Sequence, residues 1–263
     1  MPAKADPAID HGQPYDWGKA SQAYVLYRDI YPEEFYQKFL SLGICRKGQK
    51  VLDLGTGTGV LPRHMARHGA LFTGLDLSES QIAQARRLTA EAGLDIPYVA
   101  ASAEEAAFPD GSFDVVTACQ CFIYFDKERA LPNIHRMLAA HGRFAVASMG
   151  WLPDESDVAR ASERLVLRYN PAWTGGGMKR HPKGPEWPGG LFAPAAATTF
   201  DVPVRFTRET WHGRMLACRG IGASALSESQ IAAFEAEHRA FLASQPETFD
   251  VPHFAAIWVA RKK

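Results

Sequence analysis

The sequence predicts an α/β protein in which helices cover a parallel sheet, and three observations support this class. Up to about residue 149, short apolar runs alternate with helical patterns, which is typical of βαβ units. A glycine-rich turn follows the first apolar run, and an acidic residue, Asp76, ends the second. Hydrophobic residues make up 46% of the 263 residues and charged residues 22%, which are ordinary values for a protein with a sizeable core.

The first half of the chain contains five predicted strands with helices between them. These strands are Val51–Leu54, Leu71–Asp76, Tyr98–Ala101, Phe113–Ala118 and Arg143–Ser148. Ser78 and Gln81 have the spacing of a capping box that opens a helix, and Gly93 is expected to end it. Asp126 is expected to cap another helix. The apolar side of that helix is formed by Leu131, Ile134 and Leu138.

The second half is less regular. A helix is predicted over Val158–Arg168, whereas Pro171–Pro194 is rich in proline and glycine and is expected to be a functional lid or a disordered loop. A strand around Phe200–Phe206 follows, and Ser227 with Gln230 forms a further capping box. Phe254–Ala260 is the last predicted strand. We expect one domain made of an N-terminal helical segment (1–45), a core (46–150), an insertion or lid (151–199), and final strands with a helical cap (200–263).

Composition excludes several classes of partner and location. Lys plus Arg and Asp plus Glu both number 29, so no overall field attracts nucleic acid or an anionic membrane. The longest apolar stretches, such as Phe254–Ala260, are far shorter than the roughly 20 residues that a bilayer requires. The start of the sequence lacks the apolar core of a secretory signal, and four scattered cysteines do not form a disulfide scaffold. We expect a cytoplasmic protein without nucleic-acid or membrane partners.

The most informative segment is the glycine-rich turn of residues 51–59, Val-Leu-Asp-Leu-Gly-Thr-Gly-Thr-Gly. Alternate glycines let the backbone turn sharply and approach a ligand closely. Asp76 ends the next strand, about 20 residues on, where a carboxylate can accept both hydroxyls of a ribose. These features predict an adenosine-containing ligand at the carboxyl ends of the strands. A dinucleotide site needs a third glycine at residue 60 or 62, but Val60 and Pro62 stand there.

The spacing of these glycines, with Asp53 two residues before the first, resembles motif I of the class I S-adenosylmethionine-dependent methyltransferases. Residues 74–81, Gly-Leu-Asp-Leu-Ser with a later Gln, resemble the second motif of that family. Residues 101–104 and 108–114 resemble its Asp-Ala-Glu-x-Leu-Pro-Phe…Phe-Asp segment. The resemblance covers residues 51–149. It implies a Rossmann-like, doubly wound sheet of seven strands, mostly parallel with an antiparallel last strand, plus a helical cap insertion.

The resemblance also implies a set of residues around S-adenosylmethionine. Asp53 would meet the ammonium of its methionine part, Asp76 its ribose, and Leu77 and Gln81 its adenine. Ser102 replaces an acidic residue that contacts the adenine amino group in the family, so this contact is weaker or moves to Ala103 and Glu104. The remaining members of the core set are Gly55, Thr56, Gly57, Gly59, Cys119 and Gln120.

A narrower resemblance places the chain near the trans-aconitate methyltransferases. It rests on residues 24–32, Tyr-x-x-x-Arg-Asp-Ile-Tyr-Pro, and on residues 119–126, Cys-Gln-Cys-Phe-Ile-Tyr-Phe-Asp. Asp29 replaces a proline of that family and residues 123–124 replace its His-Trp, so the acceptor is not transferred from it. The resemblance implies that Tyr15, Tyr24 and Arg28 close over the cofactor.

The methyl acceptor is predicted to be a small molecule, because the signature sequences of adenine, cytosine and arginine methyltransferases are missing. Aromatic and cationic side chains of the N-terminal segment and the late insertion would suit a carboxylate or a phenol. The candidates are Trp17, Tyr124, Trp151, Trp211, His212 and Arg214, with Tyr15 and the loop cations Lys179, Arg180 and Lys183. Packing of the aromatic residues and solvation of the loop are the alternative explanation. The sequence identifies no catalytic residue.

Two other constellations have simpler explanations than a metal site. His64 and His68 lie one helical turn apart, but no third ligand has a recognisable spacing, and His68 suits a helix end. Cys119 and Cys121 alternate, which would allow capture of a soft element with Cys45 or Cys218, yet cysteines also fill small buried spaces. We therefore expect no metal.

The leading hypothesis is an O-methyltransferase acting on a carboxylate or hydroxyl, as a monomer or a homodimer. A second is a catalytically silent cofactor-binding module that acts as a sensor or partner subunit. A third is a nicotinamide-dependent oxidoreductase, which the missing third glycine disfavours.

Overall fold

A computed structural model describes residues 6–263. The first five residues lie outside the described residues. They are part of the expected N-terminal segment, and the expectation of no secretory signal also rests on them. The helices are α1 (Ser21–Tyr27), α2 (Glu33–Ser41), α3 (Val60–Met65), α4 (Glu79–Glu91), α5 (Lys127–Met137), α6 (Asp157–Tyr169), α7 (Arg208–Leu216) and α8 (Glu228–Ala243). The strands are β1 (Lys50–Leu54), β2 (Leu71–Asp76), β3 (Tyr98–Ala100), β4 (Phe113–Cys119), β5 (Leu138–Trp151), β6 (Phe192–Thr207) and β7 (Thr248–Lys262).

Over residues 6–263, the strands form one seven-stranded sheet in the order β3-β2-β1-β4-β5-β7-β6. Strands β3, β2, β1, β4 and β5 pair in parallel, and the last strands are antiparallel. The strand order reverses between β1 and β4, which is where open α/β sheets bind ligands. This sheet confirms the predicted Rossmann-like, doubly wound fold.

The last three strands extend beyond their predicted ranges. β5 begins at Leu138, immediately after α5, although Leu138 was expected on the apolar side of that helix. β6 begins at Phe192, eight residues before the predicted strand and inside the range expected to be a loop. The added residues of β6 are mostly exposed, so no alternation of apolar and polar side chains reveals them as a strand. The apolar parts of β5 and β7 are the parts that the sequence predicts.

Helix capping follows the sequence closely. Ser227 and Gln230 form the predicted capping box of α8. Asp126 caps α5 by accepting hydrogen bonds from the backbone N–H groups of residues 128 and 129. Ser78 accepts from the N–H of Gln81, but its own N–H donates to a carboxylate oxygen of Asp76. The second half of the predicted box at Ser78 is therefore replaced by a contact with the end of β2.

The contacts within the chain divide it into two compact units. The four segments expected from the sequence do not correspond to these units, and their boundaries stay predictions. We call the first the cap unit; among the described residues it comprises residues 6–30, Gly150–Pro182 and Asp201–Phe254. We call the second the core unit; it comprises Tyr31–Met149, Lys183–Phe200 and Ala255–Lys263.

The core unit has an aliphatic and aromatic interior. Its buried members include Leu52, Leu54, Leu75, Val116, Leu131, Ile134 and Phe144. Strands β1 and β4 are buried on both faces, and most of their positions are apolar for that reason. This interior supports the strand ends that carry the predicted cofactor residues.

The cap unit buries more polar groups. Trp211 is fully buried among aromatic neighbours, with ring centroids 4.9 Å from Phe206 and 5.5 Å from Trp151. Asp10, Glu163, His212, Arg214, Arg219, His238 and His253 are also buried in this unit. Since buried polar groups need hydrogen-bond partners, this unit depends on specific polar contacts as well as on apolar packing.

The proline- and glycine-rich segment contains no helix or strand over residues 171–187. Its cap-unit part is fixed by named contacts. The N–H of Gly177 donates to the carboxylate of Glu163 at 3.0 Å, and Arg180 donates to both oxygens of Glu155 at 2.7 Å. In the described residues, no helix has the length and apolar character needed to cross a membrane.

Candidate cofactor site

The turn after β1 has the backbone conformation that only glycine adopts readily. Gly55, Gly57 and Gly59 have φ of +58°, +56° and +74°, in the left-handed region. The N–H of Thr56 donates to the carbonyl of Leu75 at 2.9 Å, which ties the turn to the end of β2. A Cβ at Gly55 or Gly59 would clash with neighbouring side chains. The loop is therefore a compact cradle in which backbone, not side chains, would face a ligand.

Asp76 lies at the end of β2 and is oriented by two backbone hydrogen bonds. One carboxylate oxygen accepts from the N–H of Gly57 at 2.8 Å, and the other accepts from the N–H of Ser78 at 2.8 Å. Burial raises the pKa of this carboxyl, and these two hydrogen bonds oppose that change. Each oxygen keeps a lone pair for a further donor, which fits a pair of ribose hydroxyls.

Asp53 lies behind the loop, with 2% of its surface exposed. One of its carboxylate oxygens accepts from the hydroxyl of Thr117 at 2.6 Å. Burial raises the pKa of Asp53 to about 6, opposed by hydrogen bonds from Thr117 and Thr56. At neutral pH the group is therefore mostly ionised, and a ligand ammonium would stabilise its charge.

The turn after β4 adds Cys119 and Gln120. Gln120 has a φ of +65°, uncommon for a residue other than glycine, and its N–H donates to the carbonyl of Ala147 at 2.8 Å. Its side-chain amide donates to the carbonyl of Met149. Cys119 lies 3.8 Å from the hydroxyl of Tyr31, measured from Sγ. Both predicted residues are thus at the carboxyl end of the strand next to β1.

The residues expected around the adenine lie at the ends of β2 and β3. Leu77 exposes 40% of its surface beside Asp76, so an apolar face at the end of β2 is open to a ligand base. Gln81 is buried in the first turn of α4. Ala103 is buried and its carbonyl accepts from Asn133, whereas Glu104 accepts from the N–H of Asp126 at 2.9 Å.

Four predicted residues of the N-terminal segment belong to the cap unit. The guanidinium of Arg28 lies 4.9 Å from the ring centroid of Tyr24, and Trp17 contacts that ring edge-on at 5.9 Å. Tyr15 is buried, and the guanidinium of Arg219 lies 5.9 Å from its ring centroid. Their roles towards cofactor and acceptor stay predictions.

Three of the predicted acceptor residues cluster in the cap unit. Trp151 contacts both Trp211 and Arg214, with its ring centroid 5.5 Å from that of Trp211 and 4.7 Å from the Arg214 guanidinium. The indole N–H of Trp151 donates to Glu163 at 2.6 Å. His212 is buried and pairs with His238. Tyr124 lies in a 3₁₀ turn of the core unit and is partly exposed.

Sequence reasoning did not assign to these sites several residues that shape them. Thr117, Tyr98 and Cys121 support the cofactor loop, and Glu163 holds Trp151. Thr117 and Tyr98 lie inside apolar strands, so their roles follow only from the strand register.

The histidines and cysteines considered as metal ligands have other contacts. His64 stacks on Tyr36 with ring centroids 4.8 Å apart. Cys119 lies against the hydroxyl of Tyr31, and Cys45, Cys121 and Cys218 form no disulfide. In the part of the chain that the structure describes, no three His, Cys, Asp or Glu side chains come together as a metal site would require.

Comparison with known proteins shows which family the sequence resembles. Residues 52–146 match a family model described as a methyltransferase domain. A demethylmenaquinone methyltransferase from Thermus thermophilus is 36% identical over 113 residues, which are 42% of this chain and 51% of that protein. A ubiquinone biosynthesis O-methyltransferase from Pseudomonas aeruginosa is 32% identical over 129 residues, covering 48% and 56%.

Residues 52–146 are a class I S-adenosylmethionine-dependent methyltransferase domain. S-adenosylmethionine is its cofactor. This methyltransferase domain spans about half the length of the curated relatives that it matches. The fold extends further, since a proposed type II methyltransferase from Anaeromyxobacter dehalogenans superposes with a TM-score of 0.58 at 20% identity, over 89% of this chain and 97% of that one.

The residues of the methyltransferase domain fit this cofactor. The glycine cradle and the oriented Asp76 match an adenosine, and the buried Asp53 matches an ammonium. The exposed Leu77 would offer an apolar surface to its base.

Proposed function

We propose that this protein transfers the methyl group of S-adenosylmethionine to an oxygen of a small molecule, either a carboxylate or a hydroxyl. The cofactor supplies an activated methyl group, so the protein mainly aligns the reactants and excludes water, which can remove roughly 7–11 kcal/mol of the barrier. The observation that carries the proposal is the glycine cradle facing the doubly hydrogen-bonded Asp76. We further propose the predicted cofactor residues as its binding set.

The acceptor class rests on the cap unit. Arg214 has 4% of its surface exposed, and its guanidinium lies over the ring of Trp151. A buried guanidinium favours an anionic or acidic oxygen, and the neighbouring indoles favour an aromatic body. The names of the two curated relatives both refer to quinones, which are consistent with an aromatic acceptor. We also propose that the protein is cytoplasmic and acts as a monomer or a homodimer. Nucleic acids and membranes are not among its proposed partners.

Replacing Asp76 by alanine is expected to weaken binding of S-adenosylhomocysteine about 10- to 100-fold, because hydrogen bonds to a charged group contribute about 1.5–3 kcal/mol. Calorimetric titration of the wild type and the variant measures this change. Asp114→Ala is the matched control, because this carboxylate accepts from the N–H of Lys50 at the opposite end of β1. Absence of binding by folded wild-type protein would refute the cofactor site.

Replacing Arg214 by methionine is expected to lower kcat/KM for methylation of acidic acceptors by about 10- to 100-fold while leaving cofactor affinity unchanged. Methionine keeps a long apolar stem against Trp151 without the charge. Wild type and variant would be assayed with radiolabelled S-adenosylmethionine on a panel of benzoates, aliphatic carboxylates and phenols. Arg87→Met, which removes an exposed arginine of α4, is the control. Cofactor binding without any methylated product would favour the silent binding module instead.

A further inference from the structure

Two side chains that the sequence analysis did not assign to the site occupy the space beside the loop glycines. A Cβ at Gly55 would lie 2.7 Å from Sγ of Cys121 and 2.6 Å from its Cβ. A Cβ at Gly59 would lie 2.4 Å from the hydroxyl of Tyr98. All three distances are shorter than van der Waals contact allows, so the two neighbours fill the volume that the missing side chains leave.

Cys121 reaches the first glycine because the chain turns at Gln120. Gln120 has a left-handed φ in the turn after β4, and Sγ of Cys121 lies 3.0 Å from the carbonyl oxygen of Leu54. Burial, with the nearby carboxylate of Asp53, raises the pKa of Cys121 well above that of an ordinary thiol. The group therefore stays protonated and donates to the carbonyl that directly precedes Gly55.

Tyr98 reaches the third glycine from β3. It pairs with Gly74 of β2, where a Cβ would lie 2.5 Å from the tyrosine ring, so the ring can cross β2 closely. The hydroxyl lies 2.8 Å from that of Thr89 in α4. Burial raises the pKa of Tyr98, so the phenol stays neutral and this hydrogen bond is kept. The ring thus connects α4, β2 and the end of the loop.

We propose that Cys121 and Tyr98 are positioning residues that hold the first and third glycines of the cofactor loop, and so set the affinity for S-adenosylmethionine. This inference rests on the cofactor binding in the proposed function. A loop of three glycines has large conformational freedom, and ordering it on binding would weaken affinity. Contacts that order the loop beforehand remove that cost. Neither residue touches the reacting atoms in this role.

The Cys121 arm compares three variants by calorimetric titration with S-adenosylhomocysteine. Cys121→Ser keeps a donor to Leu54 in a smaller side chain and is expected to bind within about threefold of wild type. Cys121→Ala removes the donor, and its affinity is expected to lie between those of Cys121→Ser and Cys121→Val. Cys121→Val adds a methyl branch towards Gly55 and is expected to bind about tenfold more weakly or worse. Rescue by serine separates positioning from general packing, because serine restores the hydrogen bond and not the lost volume.

The Tyr98 arm uses a double-mutant cycle with Gly59. Gly59→Ala is expected to weaken binding strongly, because its Cβ meets the tyrosine hydroxyl at 2.4 Å and φ is +74°. In Tyr98→Phe the hydroxyl is gone, and the nearest ring carbon is 3.0 Å from the position of the added Cβ. Gly59→Ala should therefore weaken cofactor binding less in the Tyr98→Phe background. The two substitutions should therefore be non-additive by about tenfold in Kd. Additive effects would overturn the role of Tyr98.

Hydrogen exchange of a peptide spanning residues 54–60 gives a readout that needs no ligand. Faster exchange is expected in Cys121→Val than in Cys121→Ser, with both proteins shown to be folded by circular dichroism. Equal exchange and equal Kd in serine and valine variants would overturn the role of Cys121. Faster exchange in the valine variant with no cofactor binding by wild type would instead refute the proposed function and keep the loop contact. The two failures are thus distinguishable.

Discussion

Replacing Asp10 by alanine is expected to lower the free energy of unfolding by about 3–5 kcal/mol, because it leaves a buried arginine without its carboxylate. Asp10 and Arg219 have only 3% and 5% of their surfaces exposed. Arg219 donates from two nitrogens, at 2.7 Å and 2.9 Å, to the two oxygens of Asp10. A bidentate pair of this kind in a buried setting has no water to replace the lost partner.

The same carboxylate also holds the start of the glycine-rich segment. The N–H of Thr174 donates to Asp10 at 2.7 Å, and the hydroxyl of Thr174 donates to the same oxygen at 3.0 Å. Loss of Asp10 therefore breaks contacts among three distant parts of the cap unit at once. Cooperative polar networks lose more than the sum of isolated pairs when one member is removed.

Urea denaturation of wild type and Asp10→Ala measures the predicted change. Glu91→Ala is the matched control, because it breaks the exposed Arg87–Glu91 pair of α4 and should change stability by only about 0.3–0.5 kcal/mol. The double variant Asp10→Ala/Arg219→Met should be more stable than Asp10→Ala alone, since no unpaired charge remains buried. A single variant as stable as wild type would contradict the importance of this pair.

The strands and the glycine turn of the core unit could be predicted well, because each is determined by a few consecutive residues. Gly55, Gly57 and Gly59 adopt the positive φ that their spacing suggests, and Asp76 follows β2 as the strand pattern requires. These features depend on backbone geometry that a few consecutive residues determine. The start of β6 has no such pattern, because most of its side chains are exposed and apolar and polar residues do not alternate there.

The polar interior of the cap unit could not be predicted from its sequence. Asp10 and Arg219 are 209 residues apart, and no spacing rule connects them. The aromatic and cationic residues near Trp151 were recognised as candidates by residue type, but their mutual contacts depend on the tertiary fold. The sequence likewise identifies Tyr98 only as a strand residue. Its ring lies beside Gly59 of the loop because Tyr98 pairs with Gly74.

Acidification is expected to destabilise the protein by about 3–5 kcal/mol between pH 6.5 and about pH 4.5, because three buried histidines resist protonation in the folded state. Burial is the largest cause that lowers the pKa of His212 to about 4, of His238 to about 3 and of His253 to about 4. Nδ1 of His212 and Nδ1 of His238 share one hydrogen bond of 2.9 Å, so only one of them carries a proton there.

The direction follows from proton binding. Below the ordinary histidine pKa of 6.5 the unfolded chain takes up protons that the folded chain does not, so stability falls as pH falls towards the folded values. Each histidine contributes up to about 1.4 kcal/mol per pH unit in that window. Buried carboxyls act in the opposite direction, since the pKa of Asp53 is raised to about 6. The pKa of Glu163 is also raised by burial, which further reduces the net slope.

A single substitution isolates the histidine contribution from that of the carboxyls. His238→Gln removes one titrating ring and should flatten the slope of stability against pH by about 1.4 kcal/mol per unit between pH 6 and pH 4.5. The baseline at pH 7.5 will also fall, because the ring bonds His212 and Ser162, so the slope and not the absolute stability is the test. His141→Gln, at an exposed position of β5, is the matched control for the substitution itself. An unaltered slope in His238→Gln would mean that this ring accepts a proton in the folded protein as readily as in the unfolded chain.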